Sequence, residues 1–178
     1  MAKRSFGVSA AQTGPVIGGC GSSARWRTHR RVIVYAESSA VLSWLLGEEQ
    51  GEVVRGILAR AEAIVASDLT LIECDRCLIR AHAVEGMSEQ DVSERRATLN
   101  DAAAHWNMLT IDREVVERAR DAFPVEPIRT LDAVHLATAE VARSAIPDLR
   151  LLSLDSRVRD NASELDFKVE PLRSEIDS

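Results

Sequence analysis

At 178 residues, 46% hydrophobic and only 4% aromatic, the chain suits one domain with a sizeable core. Its short apolar runs fall far below the ~20 residues that span a bilayer, so a soluble protein with no membrane partner is expected. The formal charge of −6 is unevenly spread: Lys3, Arg4, Arg25, Arg27, Arg30 and Arg31 precede every acid, leaving 16 basic residues against 28 acids, a charge of −12, from Val32 onward. So acidic a body repels nucleic acid in general, because phosphate is bound by Lys and Arg, and nuclease chemistry here would need metal ions and a local basic patch.

Residues 1–31, rich in Gly, Ser, Ala and Arg, show no hydrophobic periodicity. They are expected to be a disordered arm or an over-called translation start, with a transit peptide and a basic nucleic-acid tail as further readings. The Gly18–Ser23 run lacks the Gly-Lys-Ser/Thr ending and the preceding strand of a phosphate loop. From Val32 strands and helices alternate: strand 32–36, helix 39–46 broken at Gly47, helix 51–61, strand 63–67, and helix 69–85 stopped at Gly86. Ser88 opens a helix to about 107, with the Ser-Glu-Gln-Asp start of a capped terminus. Strand 108–111, helix 113–122, helix 130–144, strand 151–154, helix 157–165 and an edge strand at 167–169 complete a domain over 32–171, with 172–178 as a tail. Strands separated by helices of this length imply right-handed crossovers, hence a three-layer α/β/α fold with a central parallel sheet.

Three cysteines without an apparent signal peptide indicate a reducing, cytoplasmic compartment and no disulfide framework. Cys74 and Cys77 form a C-x-x-C inside a helix pattern, with no second pair and no histidine at zinc-finger spacing, and read as packed thiols.

Among so many acids, those in apolar surroundings stand out. Asp132 lies in Arg129-Thr-Leu-Asp-Ala-Val-His-Leu-Ala-Thr-Ala; with Thr130 as N-cap it falls in the first helical turn, where the dipole favours a carboxylate, and Leu131, Val134, Ala137 and Val141 are expected to face the core. Glu37 and Asp155 each end a short apolar strand pattern, and Glu73 stands among Leu69, Leu71, Ile72, Cys77 and Leu78. The competing reading of Glu73 is a core-edge carboxylate paired with Arg76 or Arg80. Asp68 and Asp112 are expected as helix caps, and Asp160 as a solvated face or a peripheral ligand through water. His135 is expected to be a packed histidine bonded to a carbonyl, with a metal-ligand role as the alternative; His29, His82 and His105 have no partner at useful spacing. If Glu37, Glu73, Asp132 and Asp155 meet at the strands' carboxyl edge, each pair ~4 Å apart repels by about 4 kcal/mol at an effective dielectric of ~20, so protons or a divalent cation must be present. Oxygen-only ligands suit Mg²⁺ or Mn²⁺, and such sites act on phosphate esters.

The segments Val-Ile-Val-Tyr-Ala-Glu37-Ser-Ser-Ala, Leu-Thr-Leu-Ile-Glu73, Arg-Thr-Leu-Asp132-Ala-Val-His-Leu-Ala-Thr-Ala and Leu-Leu-Ser-Leu-Asp155-Ser-Arg resemble, in order and spacing, the four acidic motifs of PIN domains, most closely those of VapC-like toxins of toxin–antitoxin pairs. The resemblance covers about 32–171. It implies a Mg²⁺- or Mn²⁺-dependent endoribonuclease acting on structured RNA such as tRNA or rRNA, often a homodimer, silenced by a cognate antitoxin whose tail fills the active site. Carried over by position, Asp132 and Asp155 match metal-binding aspartates, Glu73 the family's glutamate, and Ser39 a small hydroxyl residue near the site, with Ser38 beside it. Glu37 departs from the usual Asp. The expected roles are Glu37, Asp132 and Asp155 as direct ligands, Glu73 as ligand or orienter of the attacking water, Ser39 as support for water or phosphate, and Arg129 and Arg157 as phosphate contacts or structural residues. A binding module with weak or lost catalysis and a structure-specific DNA nuclease are the rival functions.

Overall fold

The structure, a computed structural model, describes residues 32–176, so the expectation for the N-terminal arm lies outside the described residues. Five strands, β1 (Ile33–Ala36), β2 (Ala63–Ser67), β3 (Asn107–Leu109), β4 (Arg150–Leu152) and β5 (Val169–Glu170), form one parallel sheet in the order β3-β2-β1-β4-β5. Eight helices connect or follow them: α1 (Ser38–Leu46), α2 (Gly51–Arg60), α3 (Asp68–Glu85), α4 (Glu89–Ala103), α5 (Arg113–Ala119), α6 (Thr130–Ala145), α7 (Ser156–Glu164) and α8 (Arg173–Ile176), the last within the expected tail.

Strand alternation divides the core into two layers. Tyr35, Val65 and Leu151 point to one face, where they pack with Val115, Leu136, Ala137, Val158 and Ala162 of α5, α6 and α7. Their neighbours Val34, Ala36 and Leu152 point to the other, against residues of α1, α2, α3 and α4. Burial on both faces explains why β1 reads as a continuous apolar run rather than an alternating one. The three-layer α/β/α expectation thus holds.

Chain order also locates the site. From β1 the chain moves to β2 and β3 on one side, then crosses to β4 and β5 on the other, so β1 and β4 are neighbours whose following helices lie on opposite faces. Ligands in open α/β sheets bind outside the carboxyl ends of the strands at such a switch point. Glu37 and Asp155 follow β1 and β4 there.

Several local expectations change. The α6 N-cap is Arg129, without a side-chain cap bond, and Thr130 is the first helical residue. Leu131 is 47% exposed rather than in the core, because it lies on the outer side of the first turn. Asp112 does cap α5 by accepting from Val115 N, but Asp68 is an exposed first residue of α3, with Ser67 in the cap position. Strand β3 begins one residue early and ends two early, and α4 stops at Ala103 because the chain must turn through Trp106 into β3.

Close approach of α1 and α2 depends on Gly51, where an added Cβ would lie 2.5 Å from the Ser43 carbonyl oxygen. Since that neighbour is backbone, Gly51→Ala is expected to cost about 1–3 kcal/mol, read as a lowered thermal midpoint.

Candidate active site

The four sequence-selected acids come to the same sheet edge from four elements. Glu37 is the N-cap of α1, Asp155 the N-cap of α7, Glu73 lies in the second turn of α3, and Asp132 in the first turn of α6. Asp132 feels the charges of Asp155, Glu37 and Glu73. The Glu37 carboxylate curls back over its own helix start, where it accepts from Ser39 N.

Glu37 is 4% exposed and heavily hydrogen-bonded. Its Oε2 accepts from Ser39 N (3.1 Å), from Ser39 Oγ in a short bond, and from Ser153 Oγ (2.8 Å); its Oε1 lies 2.7 Å from Ser38 Oγ. Ser39 Oγ in turn accepts from Leu154 N at 2.8 Å and Asp155 N at 3.0 Å. A hydroxyl has one proton and two acceptor sites, so these three bonds use the full capacity of Ser39. It joins the two chains that diverge at the switch point, tying Glu37 to the turn that presents Asp155. Asp155 Oδ1 accepts from Arg157 N and Val158 N, as a capping carboxylate does.

Glu73 meets neither Arg76 nor Arg80. Its Oε2 lies 2.7 Å from Ser38 Oγ and 2.6 Å from His135 Nε2. Burial works to raise the Glu73 carboxyl, but the bonds from His135 and Ser38 outweigh it and hold the group below its ordinary value. Asp132 moves the other way: burial and then the charge of Asp155 push its carboxyl up, against the opposing pull of Arg129. Its Oδ2 is buried and has no hydrogen-bond partner among the described residues.

His135 and Ser153 are the residues that the sequence reading left out of the site. His135, 1% exposed, is bonded not to a carbonyl but to Glu73 and, through Nδ1, to Tyr35 OH at 3.0 Å. Its place three residues after Asp132 on an apolar helix was the available signal. Ser153 gave none, since serine before an acid is common in turns. Asp160 pairs with exposed Arg173 at 2.7 Å, away from any ligand role. Cys74 and Cys77 behave as packed thiols, each pushed up chiefly by burial.

Whether such residues suit a cation is answered by two observations. Glu37 and Glu73 bring carboxylate oxygens within 4.8 Å of one another beside His135, and a buried carboxylate oxygen of Asp132 has no hydrogen-bond partner among the described residues. A buried unpaired oxygen among like charges is costly until a cation meets it, so the residues fit a hard divalent ion.

Comparison with known proteins agrees with this geometry. A model of the PIN domain family matches residues 34–168. Ribonuclease VapC46 of Mycobacterium tuberculosis is 32% identical over 136 residues, which are 76% of this chain and 95% of that protein. Among solved structures, a toxin–antitoxin complex from Klebsiella pneumoniae superposes with a TM-score of 0.54 at 16% identity, covering 78% of this chain and 98% of that one. Mycobacterium tuberculosis VapC20, described as a sarcin-ricin loop cleaving toxin, does so at 0.52 and 13%, covering 75% and 95%. At such identities the two structures attest the fold, while the family match over most of the described residues settles kinship: the chain belongs to the PIN domain family.

Proposed function

We propose that this chain is a divalent-metal-dependent endoribonuclease, the toxin of a type II toxin–antitoxin pair, which hydrolyses phosphodiester bonds in structured RNA. The observation that carries the reading is the approach of the Glu37 and Glu73 carboxylates to within 4.8 Å at the switch point, with Asp132, its Oδ2 buried and without a hydrogen-bond partner among the described residues, close enough to feel their charges and that of Asp155. The name of the relative VapC46, a ribonuclease, supports RNA cleavage, and tRNA and ribosomal RNA are the substrate classes proposed.

Glu37, Asp132 and Asp155 would hold Mg²⁺ or Mn²⁺, with Glu73 as a further ligand or as the orienter of the attacking water. When bound, the ion supplies neutralisation of the carboxylates and acidification of water. Ser39, its hydrogen bonds fully used, acts by fixing Glu37 and the Asp155 turn. Arg129 and Arg157, exposed beside Asp132 and Asp155, would contact RNA phosphate. Cytoplasmic location, a homodimer and a cognate antitoxin complete the reading; the antitoxin is supported by the Klebsiella pneumoniae complex. No helix among the described residues is long and apolar enough to cross a membrane.

One observation favours a second reading, a catalytically weak RNA- or protein-binding module: both Glu37 oxygens already have hydrogen-bond donors. Digestion of total tRNA, ribosomal RNA and matched DNA in Mn²⁺ or Mg²⁺, with and without chelator, separates these readings. RNA cleavage that needs the ion is the expected result. Tight RNA binding without cleavage selects the module, and cleavage of DNA in preference to RNA selects a structure-specific DNA nuclease.

A further inference from the structure

Behind Glu73 runs a line of buried polar groups with no part in the roles assigned above. Ser67 Oγ lies 3.2 Å from Tyr35 OH, Tyr35 OH lies 3.0 Å from His135 Nδ1, and His135 Nε2 lies 2.6 Å from Glu73 Oε2. Ser67 and Tyr35 are fully buried and His135 is 1% exposed. The line crosses from the end of β2 through β1 and α6 to α3.

The protons can be placed along it. Among the described residues, Tyr35 is the hydrogen-bond partner of the Ser67 hydroxyl, whose buried proton is therefore satisfied only by donation to the Tyr35 oxygen. Burial pushes the Tyr35 phenol well above its ordinary range, so it keeps its own proton. The adjacent hydroxyls of Thr70 and Thr138 donate to the Ala36 and Val134 carbonyls. Thr70 and Thr138 also lie beside the phenol, but its two close hydrogen bonds are to Ser67 and His135, so with Ser67 as donor the Tyr35 proton goes to His135 Nδ1 at 3.0 Å and leaves that nitrogen bare. A neutral imidazole with a bare Nδ1 carries its hydrogen on Nε2, and Nε2 faces Glu73.

The separation at the far end agrees. Two atoms on one ion, each ~2.0–2.2 Å from it, lie roughly 3–3.5 Å apart at tetrahedral or octahedral angles. The observed 2.6 Å between His135 Nε2 and Glu73 Oε2 is a hydrogen-bond length.

We propose that Ser67, Tyr35 and His135 form a buried relay that locks the Nε2–H tautomer of His135 and aims it at Glu73 Oε2, making His135 a positioning residue and not a metal ligand. This rests on the divalent-ion reading of the site. With Oε2 held from behind, Glu73 Oε1, which has no hydrogen-bond partner among the described residues, is the oxygen left for ion or water. Because His135 stands one turn after Asp132 on α6, one helix both carries Asp132 and sets the place of Glu73, so the spacing of the two carboxylates is fixed by α6. Outer residues of this kind orient ligands and tune affinity without touching the ion.

The test uses the full chain and two readouts. Long-range ¹H–¹⁵N correlation of the histidine ring in metal-free protein is expected to show the Nε2–H tautomer for His135 and a mixture in Tyr35→Phe; a wild-type Nδ1–H tautomer overturns the relay. Mn²⁺ titration is expected to show affinity about 10–100-fold weaker in His135→Leu, but within about threefold of wild type in His135→Gln, whose amide can donate to Glu73 in the same way. Equal losses in the Gln and Leu variants would make His135 a ligand and overturn the proposal. Unchanged affinity in folded Tyr35→Phe, Gln and Leu proteins would reduce the line to packing and overturn it as well. Should wild-type protein bind no Mn²⁺, the metal reading falls, and the tautomer spectrum, which requires no ion, still decides the relay.

Discussion

Asp132→Asn is expected to lower ion-dependent RNA cleavage by about 10²–10³-fold, equivalent to losing several kcal/mol of charge stabilisation in the transition state, while raising the melting temperature of the metal-free protein. Both effects follow from the same placement. The Asp132 carboxyl is held above its ordinary value by burial first and by Asp155 second, so its ionised form is disfavoured in the folded state. For a carboxylate shifted upward, this penalty is complete at pH values above the folded pKa. It fades as pH falls through the folded pKa and is gone only below the unfolded value near ~3.9, where both states are protonated. The stability advantage of the Asn variant should therefore be largest at neutral pH and shrink towards pH 4. Mn²⁺ should raise the melting temperature of wild type more than that of the variant, because only wild type gains a partner for its strained charge. Thermal melts at both pH values, with and without Mn²⁺, check this; a variant that cuts RNA normally, or that is less stable at pH 7, contradicts it.

Glu73 has the opposite sign. Its carboxyl lies below the ordinary value because the bonds from His135 and Ser38 outweigh burial, so its contribution to stability is present above the unfolded pKa and is lost as pH falls through the folded one. Asp132→Asn protein, relieved of the opposing contribution, is where this acid destabilisation should be plainest.

Glu37→Ala is the second large change, and it acts on the fold. Removing this carboxylate deprives Ser39 N–H and the Ser38, Ser39 and Ser153 hydroxyls of their acceptor, and Ser153 is completely buried. Each buried group left unsatisfied costs roughly 1–3 kcal/mol, but Ser38 can turn to Glu73 and Ser39 to Ser153, so a net loss of about 2–4 kcal/mol is expected. For a domain of this size that lowers the melting temperature by roughly 5–15 °C. Glu37→Gln, which keeps an acceptor oxygen, is expected to lose much less stability and still lose Mn²⁺ affinity. Equal melting temperatures for the Ala variant and wild type would show that the serine cluster does not depend on Glu37.

Legibility in the sequence followed the range of the interactions involved. The strand and helix alternation, the breaks at Gly47 and Gly86, the Ser88 and Asp112 caps and the four acids were readable, because each rests on neighbours within a turn or on a short apolar run. Local preference puts the cap at Thr130, but the helix begins one residue earlier in the chain, with Arg129 in the cap position and no side-chain cap bond, because packing overrides the cap preference. Spacing alone puts Leu131 in the core, whereas the buried stripe of α6 runs through Ala133, His135, Leu136, Ala137 and Ala139. The small residues there let the helix approach the sheet closely enough for His135 to reach Tyr35.

By itself the sequence determined which elements form, that their strands must run parallel, and which carboxylates stand in apolar surroundings, since backbone hydrogen bonding, dipoles and apolar periodicity act over a few residues. Only the tertiary structure decided that β1 and β4 are neighbours, that Ser39 and Ser153 hold Glu37 across the switch point, and that His135 answers to Glu73 and Tyr35. Those pairs are separated by 116 residues for Ser153 and Glu37, 62 for His135 and Glu73, and 100 for His135 and Tyr35. Directional bonds between such distant side chains exist only after sheet order and helix packing have brought them within about 3 Å, a condition that no local pattern encodes.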